Sequence, residues 1–381
     1  MKLTFTGKEI IAGDAEAEGV LARGFFGKAK GGKLLLSPEE ALYLVDNRGA
    51  ECNDEKGKAI QFNSLASHFS RSPKLLARYL VFKDWRERGL IAKDAKEILG
   101  KFSRSAAVSY PSAAPALPHA SAQGIFFPQD MLTTIDSPEG KTLYEEGWFG
   151  QFGTYKAAHK GTVTKLDAFE TLYLLRKGIL SIPHSNFKKI LSHCGRQIRY
   201  FSDMYEVYED WREKGFVIKT GFKFGSHFRV YFPGASPTKG AEWLHSRHVL
   251  HVFPRRSKLL ISEWARAIRL AHSVKKTFIL AVPGKRAKSA RTCDFALYHR
   301  KGTECENPRT GEPSFLALAL TEDEYLGGVE FAQALEECSE RGLELVIAIA
   351  DRETSVTYYL IKKVGLAGSK FDYFEIQWLN P

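Results

Sequence analysis

Residues 225–252 read GSHFRVYFPGASPTKGAEWLHSRHVLHV. Two apolar, strand-like pieces flank an insert of Gly, Pro, Ser and Thr, the pattern of two strands joined by a turn-rich connection. Tyr231 ends the first piece and His245 opens the second. The same pattern returns 67 residues later. SHFRVY (226–231) matches CDFALY (293–298), HSRHVLHV (245–252) faces EPSFLALA (312–319), and FILAV (278–282) faces LVIAI (345–349), with no gap. Each copy predicts strand, strand, helix, strand. The first helix, within ISEWARAIRLAHSVKK, is apolar at Ile261, Trp264, Ala265, Ile268 and Ala271, a helical spacing. The second, GVEFAQALEECSERG, closes on Gly342.

A second repeat lies upstream. YLVFKDWRERGLIAK (79–93) matches YEVYEDWREKGFVIK (205–219), with Trp85 and Trp211 at the same place. RGFFG ending at Gly27 matches EGWFG ending at Gly150, and Tyr43 in EALYLV matches Tyr173 in ETLYLL. Between the copies, RSAAVSYPSAAPALPHASAQ (104–123) is rich in Ala, Ser and Pro and too poor in large apolar residues to pack, so it reads as an extended linker. The expected organisation is an N-module over 1–103, a linker over 104–122, a second N-module over 123–220, a C-module over 221–285, a basic connector over 286–292 and a second C-module over 293–381.

At 381 residues the chain is too long for one ordinary core. It has no run of about 18 apolar residues, which excludes a membrane-spanning helix. The N-terminus lacks an apolar signal core, so a cytoplasmic location is expected. Five scattered cysteines without a CxxC pair fit reduced thiols, and the spacing of Cys293, His299 and Cys305 matches no common zinc site. No metal or cofactor is expected. The net charge of +11 is clustered: Lys219 to Arg291 holds 16 Lys/Arg against two acids, whereas residues 292–381 hold eight against 16. A basic block of this kind points to nucleic acid, and the acidic one to a basic protein surface.

Tyr231, His245 and Lys276 fall at strand ends that an α/β layer can bring to one rim. Taken singly they are ordinary. A tyrosine at a strand end is as often packing, a lone histidine on a strand is more often structural, and Lys275 with Lys276 can be a helix C-terminal charge pair. Together, a phenol, an imidazole and an ammonium without a nearby carboxylate suit RNA transesterification, in which the ribose 2′-OH is an internal nucleophile. A phenol has a pKa of about 10, so cations must lower it for it to act as a base; Lys223, Arg229, Lys275 and Lys276 are candidates. The repeat is an internal control: Tyr231 faces Tyr298, but His245 faces Glu312 and Lys276 faces Leu343. One copy is expected to be catalytic and the other structural. Metal-dependent DNA cleavage needs clustered carboxylates, and the basic C-module has only Glu242 and Glu263. His227, His248, His251 and His272 read as structural or RNA-adjacent.

KTGFKFGSHFRVY, HSRHVLHV and RLAHSVKKTFILAV together resemble the C-terminal catalytic domain of the archaeal-type tRNA-splicing endonucleases, and the stretch leading to VYEDWREKGFVIKTGFKFG resembles that family's N-terminal domain. The resemblance covers nearly the whole chain apart from the linker. It implies a multi-domain α+β and α/β chain: two N-terminal-type α+β modules followed by two small α/β C-terminal-type nuclease modules, each a mixed sheet flanked by helices. It implies Tyr231 as general base, His245 as general acid and Lys276 as the transition-state cation. Lys275 is the neighbouring RNA-binding cation, and Arg269 resembles an arginine that sandwiches a flipped-out base. The implied substrate is precursor tRNA with a bulge–helix–bulge at the exon–intron junctions, cut to 2′,3′-cyclic phosphate and 5′-OH ends. A non-catalytic RNA-binding or structural homologue is the alternative.

The order N, N, C, C departs from the usual single N plus single C subunit and resembles the fused three-unit form, which implies a homodimer with two active sites. The family inserts an acidic hairpin into a neighbour's basic cleft, for which Asp351 and Glu353 in ADRETSVTYY are the candidates. The apolar tail FDYFEIQWL, with Phe374 and Ile376, is an expected strand-pairing surface between C-domains. Finally, the second N-module carries seven more residues than the first between its WFG and ETLYLL motifs. That insert holds Lys156, His159, Lys160 and Lys165. Lys156 and Lys160 are candidate phosphate contacts, and a plain surface loop is the other reading.

Overall fold

The computed structural model describes residues 1–155, 157, 160–240, 243–284 and 292–381. Lys156 and His159 of the insert, and 286–291 of the basic connector, lie outside the described residues. An eleven-stranded mixed sheet organises the chain. Its strands are β1 (Ile91–Asp94), β2 (Val108–Ser109), β3 (Val217–Thr220), β4 (Phe228–Tyr231), β5 (His248–Val252), β6 (Thr277–Val282), β7 (Phe295–Tyr298), β8 (Phe315–Thr321), β9 (Glu344–Ala350), β10 (Val356–Gly365) and β11 (Asp372–Leu379). Across the sheet the order is β3-β4-β5-β6-β11-β10-β9-β8-β7-β1, with β2 alongside β10. On that path β5 with β6 and β8 with β9 are parallel, and the other neighbours are antiparallel.

Among the described residues, α1 (Pro38–Asn47), α2 (Leu75–Glu87), α3 (Ala168–Arg176), α4 (Phe201–Glu213), α5 (Ile261–Ser273) and α6 (Gly328–Arg341) build the layers on this sheet, α1 resting on α2 and α3 on α4. On one face, Trp264 and Ile268 of α5 and Phe331 of α6 join a core with Leu280, Leu345, Ile347 and Tyr359. The other face is divided between the N-modules. Trp85 of α2 packs in the cluster of Phe295, Ala317 and Val346, and Trp211 of α4 in that of Phe228, Leu250 and Ile279. Burial on both faces is why these strands read as near-continuous apolar runs rather than alternating ones.

The sequence repeat reappears as register. His248 lies opposite Thr277, and 67 residues on Phe315 lies opposite Glu344; Phe228 faces Leu250 as Phe295 faces Ala317. Tyr231 faces Val217 as Tyr298 faces Ile91, reproducing the offset between the two N-modules. Each N-module is fastened to its strand by one buried node. Glu40, in the capping box that opens α1, accepts from Gly27 N at 2.9 Å and lies 3.6 Å from Lys93 Nζ; Glu170, capping α3, accepts from Gly150 N at 2.8 Å and from Lys219 Nζ at 2.6 Å.

Two expectations are corrected by this arrangement. β11 is hydrogen-bonded to β6 on one side and to β10 on the other, all within the chain. Phe374 is 8% exposed and Ile376 0%. The tail pairs the two C-modules, but within a single chain and not between two chains, because both of its edges are already taken. The segment after residue 103 is extended but docked. Tyr110 is buried, hydrogen-bonded through its hydroxyl to Glu375 and packed on Trp211 and His248, while Ala113 N donates to Lys214 O at 2.9 Å. One aromatic residue and a row of backbone hydrogen bonds suffice to seat a Pro-rich strap.

Candidate active site

Topology brings Tyr231, His245 and Lys276 to one end of the sheet. β4 runs antiparallel to β5, so the end of β4 lies beside the start of β5; β5 and β6 are parallel, so their starts are neighbours. Tyr231 closes β4, His245 precedes β5 and Lys276 immediately precedes β6. Thr277 N donates to Arg247 O at 3.1 Å, which fastens the last two together.

Ser246 links them. Its side chain favours the ionised form of the Tyr231 phenol, and its carbonyl accepts from Lys276 Nζ. Ser246 is buried, whereas His245, the preceding residue, is exposed. Lys276 also stands 5.0 Å above the Phe224 ring. Sequence reading missed Ser246, because a serine beside a candidate histidine has no signature before the strands are paired.

Tyr231 is 4% exposed and packs on Trp148 with ring centroids 4.7 Å apart. Trp148 takes a left-handed backbone (φ 48) that turns its ring onto the tyrosine. Burial pushes the phenol above its usual pKa; Arg229, 6.0 Å from the ring, and Ser246 oppose that rise. The expectation that cations lower this tyrosine is therefore corrected in sign: desolvation wins, with Arg229 as the opposing cation. Burial, with Arg229 as a second cause, lowers Lys276 from the ordinary ammonium range.

Other expected residues fall elsewhere. Arg269 is exposed on α5 and sits beside the buried Tyr359 phenol of β10, where its charge offsets part of the burial effect. Lys275 is exposed with a left-handed backbone (φ 55) at the end of α5. Lys160 is exposed in a folded turn, where its N donates to Ala157 O at 2.8 Å and its carbonyl accepts from Thr154 Oγ1 at 3.0 Å. His227 and His251 stack at 4.2 Å, and His227 Nδ1 accepts from Val252 N at 2.9 Å. Burial pushes His227 and His248 down to about 4, so both are neutral structural groups near neutrality. Cys293 meets Cys338 and Glu337, while Cys305 Sγ donates to the carbonyls of Tyr298 and Glu306; among the described residues Cys293, His299 and Cys305 form no group that could hold a metal.

A phenol, a hydroxyl and an ammonium beside an exposed imidazole define a candidate acid–base centre on an α+β scaffold. Comparison with known proteins places that scaffold. The tRNA intron endonuclease N-terminal domain matches residues 1–66 and 130–191, and the tRNA intron endonuclease catalytic C-terminal domain matches 201–291. A tRNA-splicing endonuclease of Methanococcoides burtonii is 29% identical over 328 residues, covering 68% of this chain and 89% of the relative. One of Methanopyrus kandleri is 36% identical over 149 residues, 38% of this chain and 80% of the relative, and one of Pyrobaculum arsenaticum is 33% identical over 153 residues, 37% and 80%. The chain belongs to the tRNA intron endonuclease family.

Proposed function

We propose that this protein excises introns from precursor tRNA by metal-independent transesterification at bulge–helix–bulge junctions. The observation that carries this reading is the convergence of Tyr231, Ser246 and Lys276 at one end of the sheet, in one half of a repeated fold; the equivalent positions of the other half are Tyr298, Pro313 and Leu343. Tyr231 removes the proton of the ribose 2′-OH, helped by Arg229 and Ser246, which both favour the phenolate. The freed oxygen attacks the adjacent phosphorus while His245 protonates the departing 5′-oxygen. The P–O5′ bond breaks, leaving a 2′,3′-cyclic phosphate and a 5′-OH. Lys276 offsets the charge that gathers on the phosphorane oxygens. The exposed Lys275, Arg269 and Lys160, together with Lys156, supply phosphate or base contacts.

The working unit in this reading is a homodimer. The hairpin between β9 and β10 carries Asp351 and Glu353. Asp351 accepts from the backbone of Glu353 and Ser355 and so shapes the tip, and Glu353 is exposed. A cavity of about 210 Å³ between α4 and the C-module is lined by Tyr200, His227, His251 and the two cations Arg199 and Lys258, which would complement such a tip. In the other half Lys74, at the position of Tyr200, is paired with Glu324 at 3.3 Å and Glu330 at 3.1 Å, so the equivalent groove is already occupied by the chain's own charges.

The deciding experiment is cleavage of a bulge–helix–bulge RNA in excess EDTA, wild type beside His245→Ala, with the product ends analysed. Cyclic phosphate ends that persist in EDTA and vanish in the variant are expected. Cutting that requires Mg²⁺ would overturn the mechanism, and no cutting under either condition would leave an RNA-binding homologue.

A further inference from the structure

Beside Tyr231 lies an open cavity of about 360 Å³ lined by Tyr155, Thr220, Phe222, Lys223 and Arg229. Two of its walls are aromatic and strongly exposed: Phe222 at 91% and Tyr155 at 57%. Two are cationic. Lys223 Nζ stands 4.8 Å from the Tyr155 ring, and Arg229 is held by donating from Nε to Thr220 O at 2.8 Å. Arg229, in the cavity wall, also stands 6.0 Å from the Tyr231 ring, so the cavity lies on the Tyr231 side of the site.

Phe222 is presented by a rigid turn. Phe224 N donates to Gly221 O at 2.8 Å and Gly225 N to Phe222 O at 3.2 Å, closing a single 3-10 turn. A Cβ at Gly221 would meet Ser226 O at 2.7 Å, and Gly225 has φ +61, so neither glycine is replaceable without moving the turn. The turn thereby places Phe224 beneath Lys276 and Phe222 out in solvent.

The repeat supplies the control. At the offset that relates Trp85 to Trp211, Phe222 corresponds to Lys96 and Lys223 to Glu97. At the offset of 67, Arg229 corresponds to Ala296. Tyr155 belongs to the insert, where the first N-module has only a tight turn at Gly31 and Gly32 between its strands Lys28–Lys30 and Lys33–Leu36. All four groups are thus confined to the half that carries Lys276 and His245, although the fold around them is the same. Packing demands would have been shared by both halves.

We propose that Phe222 and Tyr155 form a stacking clamp for the base of the nucleotide whose 2′-OH is attacked from, with Lys223 and Arg229 holding that nucleotide's phosphate. This rests on the RNA-cleavage reading and names the subsite it requires: Tyr231 reaches one 2′-OH only if the nucleotide carrying it is fixed. Flat aromatic faces accept any base, and the two cations select a polyanion over a neutral aromatic ligand.

The test uses a bulge–helix–bulge RNA with a 2′-deoxy, 2-aminopurine nucleotide at that position, uncleavable because it lacks the nucleophile. Binding to wild type is expected to quench the 2-aminopurine. Phe222→Ala and Tyr155→Ala are expected to lose the quench and weaken binding roughly tenfold or more, while Phe222→Trp and Tyr155→Phe retain both. On cleavable RNA, removing that base is expected to slow wild type and to change Phe222→Ala little. Phe222→Ala that quenches like wild type, or that remains as sensitive to base removal, overturns the clamp. So does a shift of Phe222→Ala from dimer to monomer in light scattering with base dependence intact, which would assign Phe222 to a protein contact. Wild type that fails to cut the ordinary RNA would instead overturn the nuclease reading beneath it.

Discussion

Leu259 pairs with Leu326, the residue 67 positions further on and its own counterpart in the repeat. Two equivalent residues can face each other only on a two-fold axis, and the neighbouring pairs, Lys258 with Gly327 and Leu260 with Tyr325, reflect about it. Ile361 and Ile376 mark the same axis on the sheet. They face each other, while Ile361 lies opposite Leu345 and Ile376 opposite Phe278, again 67 residues apart. One C-terminal hairpin therefore supplies the next strand to both C-modules. This symmetry lets one half serve as the control for the other.

The phenol and the imidazole are expected to matter chemically and hardly at all structurally. Tyr231→Phe keeps the ring on Trp148 and loses only the hydroxyl; His245→Ala removes an exposed side chain. Each is expected to slow single-turnover cleavage by about 10²–10⁴-fold, with urea unfolding close to wild type. A large stability loss in His245→Ala would contradict this placement.

The rate should respond to the groups that oppose the burial of Tyr231. A base must be deprotonated, so anything that raises its pKa moves the ascending limb of the pH–rate profile to higher pH. Ser246 and Arg229 both lower that pKa. Ser246→Ala and Arg229→Gln are therefore expected to shift the limb upward and to regain rate at alkaline pH. Tyr231→Phe should show no such recovery. Arg229 also lines the clamp, so Ser246→Ala is the cleaner comparison.

Lys275 occupies a left-handed position (φ 55) that the other half gives to Gly342 (φ 66). Lys275→Gly is expected to raise stability by about 1 kcal/mol through relief of that backbone strain. It should also lower the slope of log binding against log salt by about one phosphate contact. Denaturant melts and binding at two salt concentrations read the two effects separately. Unaltered salt dependence would remove Lys275 from the RNA contacts.

Charge reversal at the acidic hairpin tests the dimer. Glu353→Lys leaves the turn-forming Asp351 intact and is expected to shift sedimentation toward monomer, with partial return in the double variant Glu353→Lys, Lys258→Glu. A Glu353→Lys protein that sediments as wild type would reject this hairpin as the contact.

Much of the fold was legible because the repeats are covalent facts. The 67-residue offset and the Trp85/Trp211 match carry the strand registers with them, and apolar runs of seven residues such as FLALALT announce strands covered on both faces. The catalytic candidates were legible by difference, since His245 and Lys276 stand where the other copy has Glu312 and Leu343.

What the sequence determined by itself was therefore the two internal repeats, their order along the chain and which copy keeps polar groups, all properties of one chain compared with itself. Tertiary structure alone decided that β11 closes the sheet inside the chain, that Tyr110 nails the Pro-rich strap down, and that the Ser246 carbonyl receives Lys276 at the end of the sheet where Tyr231 stands. It also decided the sign of the Tyr231 shift, where burial outweighs the cations that composition makes conspicuous. The physical reason is common to all of these. Desolvation and strand pairing depend on which distant segments share a surface, and neither is encoded in the identity or spacing of the residues that feel it.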